Sequence, residues 1–247
     1  MNRRTEALRV VEDGQRFSPD HKGKTGFDEA TSNEIAQRIQ RPVSDEMLRL
    51  VHQVFLPHSE PSPAVVVFTS MANAATSTDT CTSVAEILAR DSMRSVCLMD
   101  ANLRSSLQPA LLGAPGNYGL TDALTRIGPI RSFMSPVDLR ANLWSLSCGT
   151  PEVDSPGLLA SSSLRDRIAE LREQFDYVLI DTPPVAHYAD AIALGHLADG
   201  LILVIEAGVA RRDETTSIVA NLRASKIPIL AAVLHEDHSE FLEKQSK

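Results

Sequence analysis

Two aspartates stand at the ends of apolar segments, where a parallel sheet would present both of them at one edge. Asp100 closes the segment Val96–Asp100, and Asp181 closes the segment Tyr177–Asp181. In a phosphoryl-transfer site one such carboxylate binds Mg²⁺ and another orients a water or a hydroxyl group. A strand can also end in aspartate because that side chain caps the next turn. The presence of two such ends, the second followed by Thr-Pro-Pro, favours phosphoryl-transfer chemistry.

Residues 69–78, Thr-Ser-Met-Ala-Asn-Ala-Ala-Thr-Ser-Thr, occupy the place of a phosphate-binding loop between an apolar strand and a helix. Such a loop uses glycines to expose backbone N–H groups and one lysine to bind the β- and γ-phosphates. The segment contains neither residue type. Because a non-glycine residue held at positive φ is strained by about 1–3 kcal/mol, we do not expect an ordinary phosphate cradle here.

Strands and helices alternate along the chain from residue 64 onward. Strands are predicted at residues 64–68, 96–100, 142–147, 177–181, 201–206 and 229–234. Helices are predicted at about residues 80–91, at 188–198, at 211–225, and where Leu164, Ile168, Leu171 and Phe175 share a face. This pattern predicts an α/β fold with a mostly parallel, doubly wound sheet. Such sheets bind ligands at the carboxyl ends of their strands, which here carry both aspartates and the altered loop.

The N-terminal part predicts a tail and a helical extension of this domain. Residues 1–43 are polar and predict a mobile tail, with a short helix at about 32–40 introduced by a Thr31–Glu34 capping box. Ser44 is the predicted N-cap of a second helix, whose apolar residues recur at three- and four-residue spacing before Pro57. We therefore assign residues 44–236 to one domain and residues 237–247 to a polar C-terminal tail.

Composition excludes several classes of function. The 24 basic and 32 acidic residues of the 247-residue chain give a net charge of −8, which disfavours nucleic-acid binding. The three cysteines are far apart and form no CxxC pair, as in a protein of a reducing cytoplasm. No apolar run approaches the roughly 20 residues that span a bilayer. We expect a cytoplasmic chain without direct membrane insertion, which reaches a membrane only through a partner protein.

Three motifs resemble those of the bacterial tyrosine kinases, the P-loop kinases of the CpsD/CapB type that regulate capsule and exopolysaccharide synthesis. Residues 175–185, Phe-Asp-Tyr-Val-Leu-Ile-Asp-Thr-Pro-Pro-Val, look like their Walker B region. Residues 96–104, Val-Cys-Leu-Met-Asp-Ala-Asn-Leu-Arg, resemble their second Walker A motif, Asp-x-Asp-Leu-Arg. Residues 46–52 resemble their subunit-contact motif Glu-x-x-Arg-x-x-Arg, with His52 in the last place. The resemblance covers about residues 44–235.

The resemblance implies a P-loop NTPase fold of the MinD/ParA-like kind that uses ATP and Mg²⁺. Asp100 and Asp181 would be the catalytic residues and, with Thr78, the metal ligands. The nucleotide-binding residues would be Ala74, Ala75, Thr76, Ser77, Thr78, Asn102 and, near the adenine, His235. A ring of identical subunits would form through Glu46, Arg49 and His52, which otherwise read as a solvated polar face. The implied partner is a membrane-embedded chain-length-determinant protein, also called a polysaccharide co-polymerase.

The sequence departs from the family pattern at the residues that handle phosphate. In an ungapped alignment Ala74 and Thr76 replace the two loop glycines, and Ser77 replaces the lysine. Asn102 replaces the second aspartate of the Asp-x-Asp pair, and no tyrosine follows Tyr188. A C-terminal tyrosine cluster therefore cannot be the substrate within this chain. These departures predict a degenerate ATP site.

Three functions remain open from the sequence. The first is a non-catalytic, kinase-like regulator of exopolysaccharide synthesis. The second is an active P-loop ATPase or tyrosine kinase with an atypical loop, which phosphorylates a partner in trans. The third is a partitioning or positioning ATPase, which would need the missing loop lysines and a C-terminal membrane helix.

Overall fold

The computed structural model describes residues 44–56, 62–91, 94–104, 118–138, 142–150 and 154–235. The predicted helix at residues 32–40 and both predicted tails lie outside these ranges. The domain boundaries at residues 43 and 236 therefore stay predictions.

A seven-stranded sheet organises the described residues. Its strands are β1 Val65–Ser70, β2 Val96–Asp100, β3 Ser135–Asp138, β4 Leu143–Leu146, β5 Tyr177–Asp181, β6 Gly200–Glu206 and β7 Ile229–His235. The helices are α1 Asp45–Val54, α2 Ala74–Asp91, α3 Leu120–Thr125, α4 Ser155–Leu159, α5 Ser162–Gln174, α6 Asp190–Gly195 and α7 Arg212–Ala224, with a 3₁₀ turn at Ile130–Phe133.

The strand order is β3-β4-β2-β5-β1-β6-β7. All neighbouring pairs are parallel except the edge pair of β3 and β4. The predicted α/β, mostly parallel fold is confirmed. The edge strand β3 was not predicted, because its four residues include a proline and show no apolar run.

Alternate residues of each strand pack on opposite sides of the sheet. Val66 and Phe68 of β1 belong to the apolar cluster formed with α1 and α2. Val65 and Val67 belong to the cluster on the other side, which α5, α6 and α7 complete. All four side chains are fully buried. Because both faces are covered, the polar residues that need solvent or a ligand concentrate at the carboxyl ends of the strands.

The helical extension packs onto the domain as the sequence predicts. Ser44 caps α1 by accepting a hydrogen bond from the Met47 N–H, at 3.3 Å. Phe55, just after α1, is fully buried and meets the Tyr177 ring edge-on, with 5.6 Å between ring centroids. The Tyr177 hydroxyl donates to the Phe55 carbonyl at 2.9 Å. This contact ties α1 to the start of β5.

Helix α2 begins earlier than the sequence predicted, at Ala74 instead of about residue 80. Asn73 provides the cap, since its Oδ1 accepts from the Ala75 N–H at 3.0 Å. No residue between 69 and 78 is a glycine that would favour a left-handed loop conformation. The segment that a phosphate loop would leave extended is therefore wound into the first turns of a helix.

Candidate functional site

The two predicted aspartates meet at the carboxyl edge of the sheet. Asp100 and Asp181 are register partners at the ends of β2 and β5, and both are buried. The Asp100 side chain accepts a hydrogen bond from the Asn102 backbone N–H at 2.9 Å. The parallel order of the strands thus brings together two carboxylates that lie 81 positions apart in the chain.

Asp181 is held by two hydroxyl groups from the first turns of α2. Thr78 Oγ1 lies 2.5 Å from Asp181 Oδ2, and Ser77 Oγ lies 3.1 Å from Asp181 Oδ1. Both hydroxyls also lie close to the Ala74 carbonyl, at 2.9 Å for Thr78 and 3.0 Å for Ser77. A hydroxyl has one hydrogen to donate. A proton on Asp181 Oδ2 lets the carboxyl donate to Thr78 Oγ1 while Thr78 donates to the carbonyl.

The pKa of Asp181 agrees with a protonated side chain. Burial raises the pKa of Asp181 from 3.8 to about 8, the hydroxyls of Thr78 and Ser77 oppose that rise, and the neighbouring Asp100 carboxylate adds to it. Asp181 is therefore mostly neutral at pH 7. A neutral carboxyl group is a poor ligand for Mg²⁺, because hard cations bind the ionised form.

Ser77 occupies the position where the family motif has its lysine. Its side chain is fully buried and its hydroxyl is directed to Asp181. A lysine at this position would supply one positive charge for the phosphates. Serine supplies none.

The other predicted nucleotide-binding residues have different surroundings. Ala74 and Ala75 lie at the partly open start of α2, whereas Thr76 is buried. His235 ends β7 as the register partner of Glu206, two strands away from β1. No group of three or more histidine, cysteine, aspartate or glutamate side chains arranged to hold a metal occurs in the part of the chain that the structure describes. The roles in ATP and Mg²⁺ binding stay predictions.

A cleft of about 350 Å³ opens beside α2, with Asn73, Asn102, Arg104, Pro184 and Tyr188 in its walls. The cation of this cleft is paired, because the Arg104 guanidinium forms two hydrogen bonds with the Asp190 carboxylate. It also stacks on Tyr188, 4.4 Å from the ring centroid.

Sequence reasoning did not assign Arg104, Asp190 or Glu206 to the site. Arg104 ends the motif at residues 96–104, and Asp190 lies five residues beyond the motif at residues 175–185. Glu206 contacts the α2 start through the Asn73 N–H, at 3.0 Å across 133 positions of the chain, and no local pattern signals that contact.

The predicted subunit-contact residues Glu46, Arg49 and His52 are all exposed on α1. The apolar residues Leu50, Val51 and Val54 of the same helix are buried against the domain. The polar side of α1 is thus presented to the surroundings. Among the described residues no helix is both long enough and apolar enough to cross a bilayer.

The chain is similar in sequence to several tyrosine-protein kinases, although no family model matches it. It is 27% identical over 180 residues to the tyrosine-protein kinase YwqD of Bacillus subtilis, covering 71% of this chain and 75% of that protein. It is 26% identical over 173 residues to the tyrosine-protein kinase CpsD of Streptococcus agalactiae, covering 70% of this chain and 74% of that protein.

Solved structures give the same picture. The VpsO kinase domain is 26% identical with a TM-score of 0.70, over 78% of this chain and 98% of that domain. The cell division ATPase MinD of Pyrococcus furiosus is 20% identical with a TM-score of 0.57, over 69% of this chain and 71% of that protein. The second likeness shows the fold alone.

Proposed function

We propose that this chain, as a member of the bacterial tyrosine kinases, acts as a regulator with a kinase-like fold. In this role it does not itself transfer phosphate. The process that it would regulate is the synthesis and export of an exopolysaccharide or capsule, as the family resemblance implies. The chain would act through its contacts with other proteins.

The single observation that carries this proposal is the contact between Ser77 and Asp181. Ser77 stands in the lysine position, and its hydroxyl lies 3.1 Å from the carboxyl group that would prepare the metal. A charge-assisted hydrogen bond to a phosphate contributes about 1.5–3 kcal/mol, and more to a transition state. Serine directed at Asp181 provides none of that stabilisation.

The residues present do not fit ATP with Mg²⁺. The loop that should expose N–H groups is helical from Ala74 onward, and burial keeps the pKa of Asp181 near 8. The Thr78 hydroxyl, the predicted metal ligand, is engaged with the Ala74 carbonyl and with Asp181. We therefore derive no phosphoryl-transfer step for this chain.

The partners that fit this role are further copies of the chain and a membrane-embedded chain-length-determinant protein. The exposed face of α1 with Glu46, Arg49 and His52 supports a contact between subunits. Arginine reaching a carboxylate of a neighbouring copy is the kind of contact that closes a ring. The association with a membrane would then depend on the partner.

A genetic comparison tests the regulatory role. Polysaccharide amount and chain length would be measured in cells that carry the wild type, a deletion, or Asp181→Asn. We expect the deletion to lower output and Asp181→Asn to leave it unchanged, because asparagine keeps the hydrogen bonds of a neutral Asp181. A folded, oligomeric Asp181→Asn protein that behaves like the deletion would contradict the proposal.

An active kinase that phosphorylates a partner in trans is the second candidate. It is favoured by the adjacency of Asp100 and Asp181 and by the short contact between Asp181 and Thr78. Incubation of the full chain with labelled ATP, Mg²⁺ and a random glutamate–tyrosine copolymer tests it. Transfer to tyrosine that disappears in Asp181→Asn would support this candidate, whereas we expect no transfer. The third candidate, a partitioning ATPase, is supported by the shared fold alone.

Ring formation gives a separate prediction. We expect Arg49→Ala to shift the protein from an oligomer toward a monomer in light scattering, without a change in unfolding free energy, because Arg49 is exposed. Arg223→Ala, at an exposed position of α7 on the other side of the sheet, is the matched control. Equal oligomer mass in the wild type and in both variants would remove Arg49 from the interface.

A further inference from the structure

Glu206 is a buried carboxylate that reaches the start of the altered loop from the end of β6. It ends β6 and is only 7% exposed. Ser70 at the end of β1 is the register partner of Val204, and Glu206 follows Val204 by two residues. Because side chains alternate along a strand, Ser70 and Glu206 lie on the same face of the sheet, the face that α2 covers.

Glu206 binds a backbone amide of the altered loop. Its Oε1 accepts from the Asn73 N–H at 3.0 Å. The family motif has proline at this position, and proline has no N–H, so the Asn73 amide is a donor that the family loop lacks. The Glu206 carboxylate accepts from this donor and is held by it at the start of α2. The Asn73 side chain accepts from the Ala75 N–H as well, so a second amide of the segment is satisfied internally.

The charge of Glu206 is only partly compensated. Its second oxygen, Oε2, has no hydrogen-bond partner within the described parts of the chain, and neither has the buried Ser70 hydroxyl. Ser77, which stands where the family motif has its lysine, contributes no cation. A phosphate that reached the start of α2 would therefore meet this negative charge, and the burial of Glu206 strengthens the repulsion.

We propose that Glu206 is the residue that excludes nucleotides from this site. Its carboxylate is held at the start of the altered loop by the Asn73 amide, and its negative charge there repels diphosphates and triphosphates. This inference rests on the proposed function, since it explains why a member of a kinase family would act without ATP. It makes Glu206 a determinant of ligand specificity, in addition to the loss of the lysine.

Glu206→Gln separates charge from shape. Glutamine retains a side-chain oxygen that can accept from the Asn73 N–H, but it removes the negative charge. Glu206→Ala removes both and opens the position. Glu214→Gln, at an exposed residue in the first turn of α7, makes the same change in net charge and is the matched control.

The experiment is a titration of the full-length wild type and variants with ADP and with inorganic pyrophosphate, each with and without Mg²⁺. Calorimetry gives the affinity, and the NMR shift of the Asn73 amide reports whether binding occurs at this place. We expect Glu206→Gln and Glu206→Ala to bind ADP at least about tenfold more tightly than the wild type. We expect Glu214→Gln to match the wild type.

A lysine restored at position 77 gives a second, independent readout. We expect Ser77→Lys alone to gain little affinity, because position 77 lies beside Asp181 and the negative charge of Glu206 stays in place. The double variant Ser77→Lys/Glu206→Gln should bind ADP more tightly than either single variant. Micromolar binding of ADP to the wild type, or equal affinities of the wild type and both Glu206 variants, would overturn the proposal.

The two proposals fail on different evidence. Polysaccharide output in Asp181→Asn cells tests the regulatory role and does not depend on Glu206. If output is normal in that variant while the Glu206 variants bind no nucleotide, the exclusion by Glu206 is wrong and the regulatory role stands. If output is lost while the Glu206 variants gain affinity, the regulatory role is wrong and the exclusion stands.

Discussion

Replacement of Asp181 by asparagine should stabilise the protein, and the gain should depend on pH. Burial raises the pKa of Asp181 from 3.8 to about 8. Between these two values the folded state holds a proton that the unfolded state has released. The stability of the wild type therefore falls as the pH rises through this window. Asparagine does not titrate, and its NH₂ group can donate to Thr78 Oγ1 as the protonated carboxyl does.

The size of the gain follows from the same values. Each pH unit within the window lowers the wild-type free energy of unfolding by about 1.4 kcal/mol, which sets an upper bound of about 4 kcal/mol at pH 7. Burial of the asparagine amide offsets part of this, and we expect about 2 kcal/mol. For a chain of this size that corresponds to a rise in Tm of about 4–8 °C.

Thermal and urea unfolding of both proteins, followed by circular dichroism from about pH 4 to about pH 9, measures the effect. The two proteins should be about equally stable near pH 4, and the gain of Asp181→Asn should grow until about pH 8. If the variant is less stable than the wild type at pH 8, or if the difference is the same at every pH, Asp181 is ionised in the folded protein. The assignment of a neutral Asp181 would then be wrong.

Asp176 provides a control of the opposite sign. Hydrogen bonds from the Ser95 side chain and backbone, together with Arg94, hold the pKa of Asp176 below its usual value. Its contribution to stability is present above the unfolded-state pKa and is lost as the pH falls through the folded-state pKa. Asp176→Asn should therefore destabilise the protein at pH 7, by less than about 1 kcal/mol because the site is open to solvent.

Two further changes test the packing around the site by urea unfolding. Arg104→Ala should lower the free energy of unfolding by about 2–4 kcal/mol, because it leaves the buried Asp190 carboxylate without its cation. Arg211→Ala breaks an exposed ion pair and should change the free energy of unfolding by less than about 0.5 kcal/mol. Equal effects of the two substitutions would mean that Asp190 needs no cation. Gly119→Ala should lower the free energy of unfolding by about 3 kcal/mol or prevent folding, because a Cβ there would lie 2.3 Å from a backbone nitrogen. In Gly208→Ala the new Cβ meets no atom within 4 Å, and the loss should be only about 1 kcal/mol, from backbone strain at a φ of +77°. A fully stable Gly119→Ala protein would refute the close approach.

The buried parallel strands could be predicted from the sequence because apolar runs with sharp ends signal them. Val96–Asp100 and Tyr177–Asp181 are confirmed residue for residue, since each is an apolar run that stops at an aspartate. The parallel topology predicted that both strands end at the same edge, whereas their pairing depends on the strand order, which the sequence did not predict.

The start of α2 and the contact of Glu206 could not be predicted, for two physical reasons. The alignment with a phosphate loop suggested an extended segment up to residue 78, whereas alanine at positions 74 and 75 favours helix once the glycines are gone. Glu206 reaches Asn73 only because β6 is the neighbour of β1 in the folded sheet. That contact depends on strand order and side-chain length, which periodicity does not report.

The departures from the family motif form one electrostatic arrangement. Asp100, Asp181 and Glu206 end β2, β5 and β6 on the face that α2 covers, with β1 between β5 and β6, and Ser77 adds no cation among them. Burial, with the neighbouring Asp100 carboxylate, keeps Asp181 protonated, and the Asn73 amide binds Glu206. A lysine at position 77 would stand beside Asp181 and favour its ionised form. The loss of the lysine, the neutral Asp181 and the amide-bound Glu206 therefore support the same proposal, that this edge of the sheet does not hold a phosphate.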